Sequence, residues 1–221
     1  MKQIPQHTST FLPSTPAPPL SSTPALVPVA AFLPRSCVNG PGVRSVLWVQ
    51  GCPFRCAGCF NPDFQSFAGG QATPVATVAG WILARDDTEG VTFSGGEPFA
   101  HAEVLAAVAE RVRQAGQSVV IFTGFGQDAL LSSHEASHRR LLAAADVLIA
   151  GPYERARPSR HPWLSSENQE LVFLTGRYVR ADLETGRKRL EFRIGPGGQT
   201  TVTGFRPTLP PTSGSRIGGE P

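Results

Sequence analysis

Between residues 44 and 150 the apolar and polar positions fall into a repeating rhythm. Residues 44–50 read Arg-Ser-Val-Leu-Trp-Val-Gln, a short apolar strand that ends at Gly51-Cys52. Residues 74–85 place Val75, Val78, Ala79 and Ile82 at helical spacing, with Thr73 as the expected N-cap and Pro74 at the first helical position. Val91-Thr92-Phe93-Ser94 predicts a second strand, closed by Gly95-Gly96. Residues 102–115 predict the clearest helix, with Val104, Leu105, Val108 and Val112 on one face and Gly116 ending it. Residues 119–122 are apolar throughout, the signature of a strand buried on both faces. A helix over 138–145 and a strand over 146–150 complete the series. Strand–helix–strand alternation at this spacing predicts a parallel β/α sheet with right-handed connections.

Past Gly151 the alternation stops. Short strands are expected over 171–174, 189–194 and 200–205, the last two flanking Gly195-Pro196-Gly197-Gly198. A small β appendage is therefore expected over 181–206, after a core domain spanning 31–180. Residues 1–28 carry seven prolines among serines and threonines. Such a stretch buries too little apolar surface to offset its ordering entropy, so residues 1–30 read as a disordered leader and 207–221 as a disordered tail. No internal repeat is visible.

Composition narrows the function classes. With 221 residues and 40% hydrophobic content the chain can build one sizeable core. A net charge of +3 without any basic run does not suggest nucleic-acid binding. No apolar stretch reaches the roughly 18 residues of a membrane span. Prolines interrupt the opening segment, so no secretory signal is read there. Three of the four cysteines share one octet, which is no disulfide framework. A reduced, cytoplasmic location is the expectation.

That octet carries the chemistry. Cys52, Cys56 and Cys59 form a C-x3-C-x2-C pattern. Iron–sulfur clusters are held by cysteine thiolates, and a self-sufficient four-iron site has four. Three ligands leave one iron open, and an open coordination position marks a catalytic centre. The bland alternative is a zinc site completed by Cys37 or a histidine, although zinc sites usually pair two C-x2-C knuckles. In parallel β/α folds, ligands gather at the C-terminal strand ends. The cysteine loop, Ser94-Gly95-Gly96-Glu97-Pro98, Thr123-Gly124-Phe125-Gly126 and Gly151-Pro152-Tyr153 each follow one predicted strand. All four belong to the same rim.

On these residues the chain resembles the radical S-adenosylmethionine (SAM) superfamily, through the cysteine pattern followed by Gly95-Gly96-Glu97-Pro98. Three segments are similar to the activating proteins of anaerobic ribonucleotide reductase and related glycyl-radical activases: Asn39-Gly40-Pro41-Gly42-Val43-Arg44, Trp48-Val49-Gln50-Gly51-Cys52 with Asn61-Pro62, and residues 146–153. The resemblance spans about residues 35–180. It implies an open, partial parallel β/α barrel and a [4Fe-4S] cluster on Cys52, Cys56 and Cys59. It further implies SAM on the open iron, cleaved reductively to a 5′-deoxyadenosyl radical. Gly95 and Gly96 would let the strand edge approach the SAM methionyl group, and Glu97 would bear on its ammonium, directly or through that edge. Thr123 would meet SAM from the next strand, and Phe60 would lie beside its adenine. The implied partner is a glycyl-radical enzyme such as anaerobic ribonucleoside-triphosphate reductase, with flavodoxin or ferredoxin as electron donor. One departure is Ala150, where many members carry an acidic residue. The readings that stay open are a radical SAM enzyme modifying a peptide or small molecule, and a non-catalytic iron–sulfur or zinc module.

Overall fold

Strands β1 (Leu26–Ser36) and β2 (Arg44–Val49) open the fold, followed by β3 (Gln71–Pro74), α1 (Val75–Leu83), β4 (Gly90–Gly95), α2 (Ala102–Gln114) and β5 (Ser118–Thr123). Then come α3 (Gln127–Leu131), α4 (Ala136–Ala143), β6 (Val147–Ala150), β7 (Glu170–Phe173), α5 (Arg180–Glu184), β8 (Leu190–Ile194) and β9 (Thr200–Gly204). The structure, a computed structural model, describes residues 25–184, 189–194, 196–198 and 200–205. Most of the expected leader and all of the expected tail lie outside the described residues. Among the described residues no helix is long and apolar enough to cross a membrane.

Seven strands form one sheet in the order β3-β1-β2-β4-β5-β6-β7. β2, β4, β5 and β6 run parallel to one another, and antiparallel strands flank them on both sides. The four parallel strands are adjacent in chain order. Right-handed connections between such strands put every linking helix on one face. The packing agrees: Leu47, Val49, Val91, Phe93, Val119, Ile121 and Leu148 share one core with Val78 and Ile82 of α1, Leu105 and Val112 of α2, and Leu141 of α4. The alternate positions point the other way. Val120, Val147 and Ile149 pack with Leu183 of α5, while Trp48, Ser94 and Phe122 border a cavity.

Sequence patterning misses β1. Its first five residues, 26–30, fall inside the stretch read as a disordered leader, because two prolines mask an alternation that buries Val27, Val29 and Leu33. Pro28 is tolerated because it sits where the β1–β2 ladder runs out at Val29 opposite Val49. Its carbonyl still accepts from Gln50 N at 2.8 Å. Thr73 is not an N-cap. It lies in β3 with its hydroxyl donating to Gln71 O, and Pro74 takes the cap position. The helix expected over 138–145 is α4, which begins at Ala136. β8 and β9 pair with each other in a separate two-stranded sheet.

The lower end of the parallel sheet is closed by a buried charge. Arg44, the first residue of β2, is fully buried and spends its five N–H groups on acceptors from four other segments. Nε donates to Thr92 Oγ1, Nη1 to Pro41 O and Tyr178 OH, and Nη2 to Val91 O and Ser118 O. Desolvation holds its pKa below the ordinary arginine value, against the Tyr178 hydroxyl and the charges of Glu89 and Asp146.

Candidate active site

At the opposite, C-terminal end of the parallel strands, β2 hands the chain to the cysteine loop. The loop is clamped at its base: Gly51 N donates to Phe64 O, and Cys52 N to Gln65 O, both at 2.9 Å. Gln50 Nε2 donates to Asp63 O and Ser66 O, so the last polar residue of the strand fixes the loop's return. Inside the loop Cys59 N donates to Cys56 O at 3.2 Å, a turn that sets the second and third sulfurs. All three thiols are free, half-buried, and border one cavity of about 410 Å³.

The same cavity is bordered by Gly95, Gly96, Glu97, Thr123, Phe60 and Tyr153. The six loop residues expected to meet a cofactor or line the cleft are therefore brought together with the cysteines. Most of them also have a structural reason for being there. A Cβ on Gly95, whose φ is +109°, would lie 2.5 Å from Val49 N, and one on Gly96 would lie 2.2 Å from Gly51 O. Both glycines are required by the close approach of β4 to β2 and the cysteine loop. Gly96 N donates to Val49 O and Glu97 N to Gly51 O, stitching the two loops.

Glu97 is 1% exposed and its carboxylate is fully committed. Oε1 accepts from Phe99 N at 2.9 Å and Thr123 Oγ1 at 2.8 Å, and Oε2 accepts from Gly124 N at 2.7 Å. The side chain thus bolts the β4 loop to the β5 loop. Burial pushes its pKa up to about 7, against the pull of the Gly124, Phe99 and Thr123 donors. Thr123 also accepts from Phe125 N, so its hydroxyl is spent on the same bolt. Phe60 is half-exposed and packs on Tyr153, ring centroids 4.8 Å apart. His101 lies beside the carbonyls of Gln50 and Gly51, and burial holds its pKa below the usual imidazole range.

Trp48, Ser94 and Phe122 line the cavity from the sheet itself, and β9 lines it from outside the sheet. Of these only Ser94 was placed at the rim from the sequence; Trp48, Phe122 and β9 were not. Strand alternation from the rim residues would have found Trp48, which lies opposite Ser94 in the β2–β4 ladder.

Residues 38–172 match the 4Fe-4S single cluster domain family. The anaerobic ribonucleoside-triphosphate reductase-activating protein of Enterobacteria phage T4 is 30% identical over 62% of this chain and 88% of its own length. The Haemophilus influenzae protein of the same name is 32% identical over 62% of the chain and 92% of its own length. The pyruvate formate-lyase-activating enzyme of Streptococcus mutans is 26% identical over 64% of the chain and 56% of its own length. The chain belongs to the radical SAM activating-enzyme family.

The cysteine loop fits the iron–sulfur cluster this family carries. Burial pushes the Cys52 thiol up to about 11, and the charges of Glu97, Cys59 and Cys56 add to the rise, opposed by a hydrogen bond from the Phe54 backbone. Cysteine ligates iron as the thiolate, so cluster loading releases protons from the loop. Among the described residues no three His, Cys, Asp or Glu converge as a single metal ion needs.

Proposed function

We propose that this enzyme binds a [4Fe-4S] cluster on Cys52, Cys56 and Cys59 and SAM beside it, and installs a glycyl radical on a partner enzyme. The observation that carries the reading is the shared cavity: three thiols, the Gly95–Glu97 edge and the Phe60–Tyr153 pair border one space. Its volume of about 410 Å³ suits one nucleoside-sized molecule. The inner-face lining of Trp48, Ser94 and Phe122 supports an open, partial β/α barrel of the radical SAM type, with the cavity as its lumen.

When bound, cluster and SAM supply one electron to the sulfonium and a 5′-carbon radical able to take a hydrogen atom, with methionine as the leaving group. The residues of this chain do the rest. The clamped loop holds three thiolates at fixed separation. Glu97 and Thr123 do not reach into the cavity as free ligands; they hold the Gly95–Gly96 edge and the Gly124 turn in place for the SAM methionyl group. Phe60 and Tyr153 offer ring faces to an adenine. The electron comes from a one-electron protein donor such as flavodoxin or ferredoxin.

The relatives' names point to anaerobic ribonucleoside-triphosphate reductase as the partner. Incubating the reconstituted chain anaerobically with that reductase, SAM and a reductant should raise a glycyl-radical spin signal on the reductase. A silent spectrum, with cluster and SAM present, would refute the activase role.

A further inference from the structure

The β8–β9 hairpin lies beyond residue 172, where the family match ends, yet it forms part of the cavity wall. It is latched to the corner between β1 and β2. Ser36 Oγ and Cys37 N both donate to Glu191 Oε2, and Asn39 Nδ2 donates to Thr203 Oγ1, whose hydroxyl returns a bond to Asn39 Oδ1. Arg193 reaches the Arg35 carbonyl. Phe205 crosses to the sheet's inner face, its ring 5.8 Å from that of Phe122.

Thr201, Val202, Thr203, Gly204 and Phe205 all border the cavity, whereas β8 contributes only Leu190. Successive side chains of a strand point to opposite faces, so a run of five consecutive lining residues means that an edge, not a face, fronts the space. One edge of β9 is paired with β8. The other is unpaired among the described strands. Phe205 N donates to Arg189 O at 2.9 Å. Hydrogen-bonded pairs alternate along an antiparallel ladder, which turns the backbone groups of Thr201 and Thr203 toward β8. Those of Thr200 and Val202 are left on the free edge.

We infer that this free edge receives the glycine-bearing segment of the protein substrate as an added β-strand, reading its backbone in extended form next to the cofactor cavity. The inference rests on the activase reading above and names how its substrate is held. A backbone edge selects an extended polypeptide over a compact small molecule, because it offers a row of alternating donors and acceptors. The cavity, sized for one nucleoside-like molecule, leaves the polypeptide to lie at its margin.

Val202→Pro removes the free-edge N–H while leaving the β8-facing groups in place, and Val202→Thr retains that N–H. The readout is glycyl radical formed per 5′-deoxyadenosine released, with anaerobic ribonucleoside-triphosphate reductase as substrate. Val202→Pro should lower this ratio at least tenfold and raise the KM for the reductase, while Val202→Thr stays within about twofold of wild type. Thr200→Pro, at the exposed start of β9, should lower the ratio about threefold and serves if Val202→Pro fails to load its cluster. Wild-type ratios in the folded proline variants would overturn the inference while leaving the activase reading intact. A wild-type chain that releases 5′-deoxyadenosine but forms no radical on the reductase would overturn both.

Discussion

The two ends of the parallel strands each bury a charged side chain, and they use it differently. At the lower end Arg44 exhausts all five donors on Pro41, Val91, Thr92, Ser118 and Tyr178, with nothing left to face a ligand. At the upper end Glu97 is as fully committed, but its partners are the loops that frame the cavity, and three cysteine sulfurs border that cavity beside it. Buried charge is architecture at both ends. What distinguishes the upper end is soft ligand atoms left at an open space.

The largest effects belong to those sulfurs. Replacing Cys52, Cys56 or Cys59 singly by Ala should abolish cluster loading and lower SAM cleavage by at least about a thousandfold, roughly 4 kcal/mol. Unfolding of the cluster-free chain should shift by no more than about 1 kcal/mol. Iron content and urea melts of the apo chains check both halves. Arg44→Met should do the reverse. It strands several buried acceptors and should cost about 3–5 kcal/mol of stability by urea unfolding. An Arg44→Met chain as stable as wild type would show that the lower end is not held by this network.

Glu97 falls between them. Glu97→Gln turns an amide N–H toward a Gly124 or Phe99 N–H and should cost about 1–3 kcal/mol near pH 5. Its pH dependence has a definite sign. Burial raises the folded pKa to about 7, above the unfolded value near 4.5, so the folded state binds the extra proton. That contribution is fully present below about pH 4.5 and is lost as pH rises through 7, by up to about 3 kcal/mol. The stability gap between wild type and Glu97→Gln should therefore shrink from pH 5 to pH 8 in paired urea melts. A gap that widens would mean the three donors outweigh burial and keep the carboxylate ionised.

The same contrast explains what the sequence could disclose. The upper end is legible because its chemistry is local: three cysteines fall within eight residues, and Gly95, Gly96 and Glu97 are consecutive. The central strands and helices were legible from periodicity. Arg44 was not, because its partners lie up to 134 residues away and no short-range pattern records them. β1 was hidden by Pro28 and Pro34, whose usual meaning in a strand is exclusion. The role of Glu97 was half legible: its place at the site follows from the motif, but its commitment to Thr123 and Gly124 depends on β4 and β5 being neighbours. The position of β9 at the cavity has no sequence signal at all, since it depends on the Asn39 and Glu191 latches.

The most direct measurement is anaerobic reconstitution of the full chain with iron and sulfide, followed by dithionite and SAM, with iron and 5′-deoxyadenosine counted per chain. Close to four irons and dithionite-dependent release of 5′-deoxyadenosine are expected, both lost in Cys52→Ala. A fully loaded cluster that releases no 5′-deoxyadenosine from SAM would contradict the assignment.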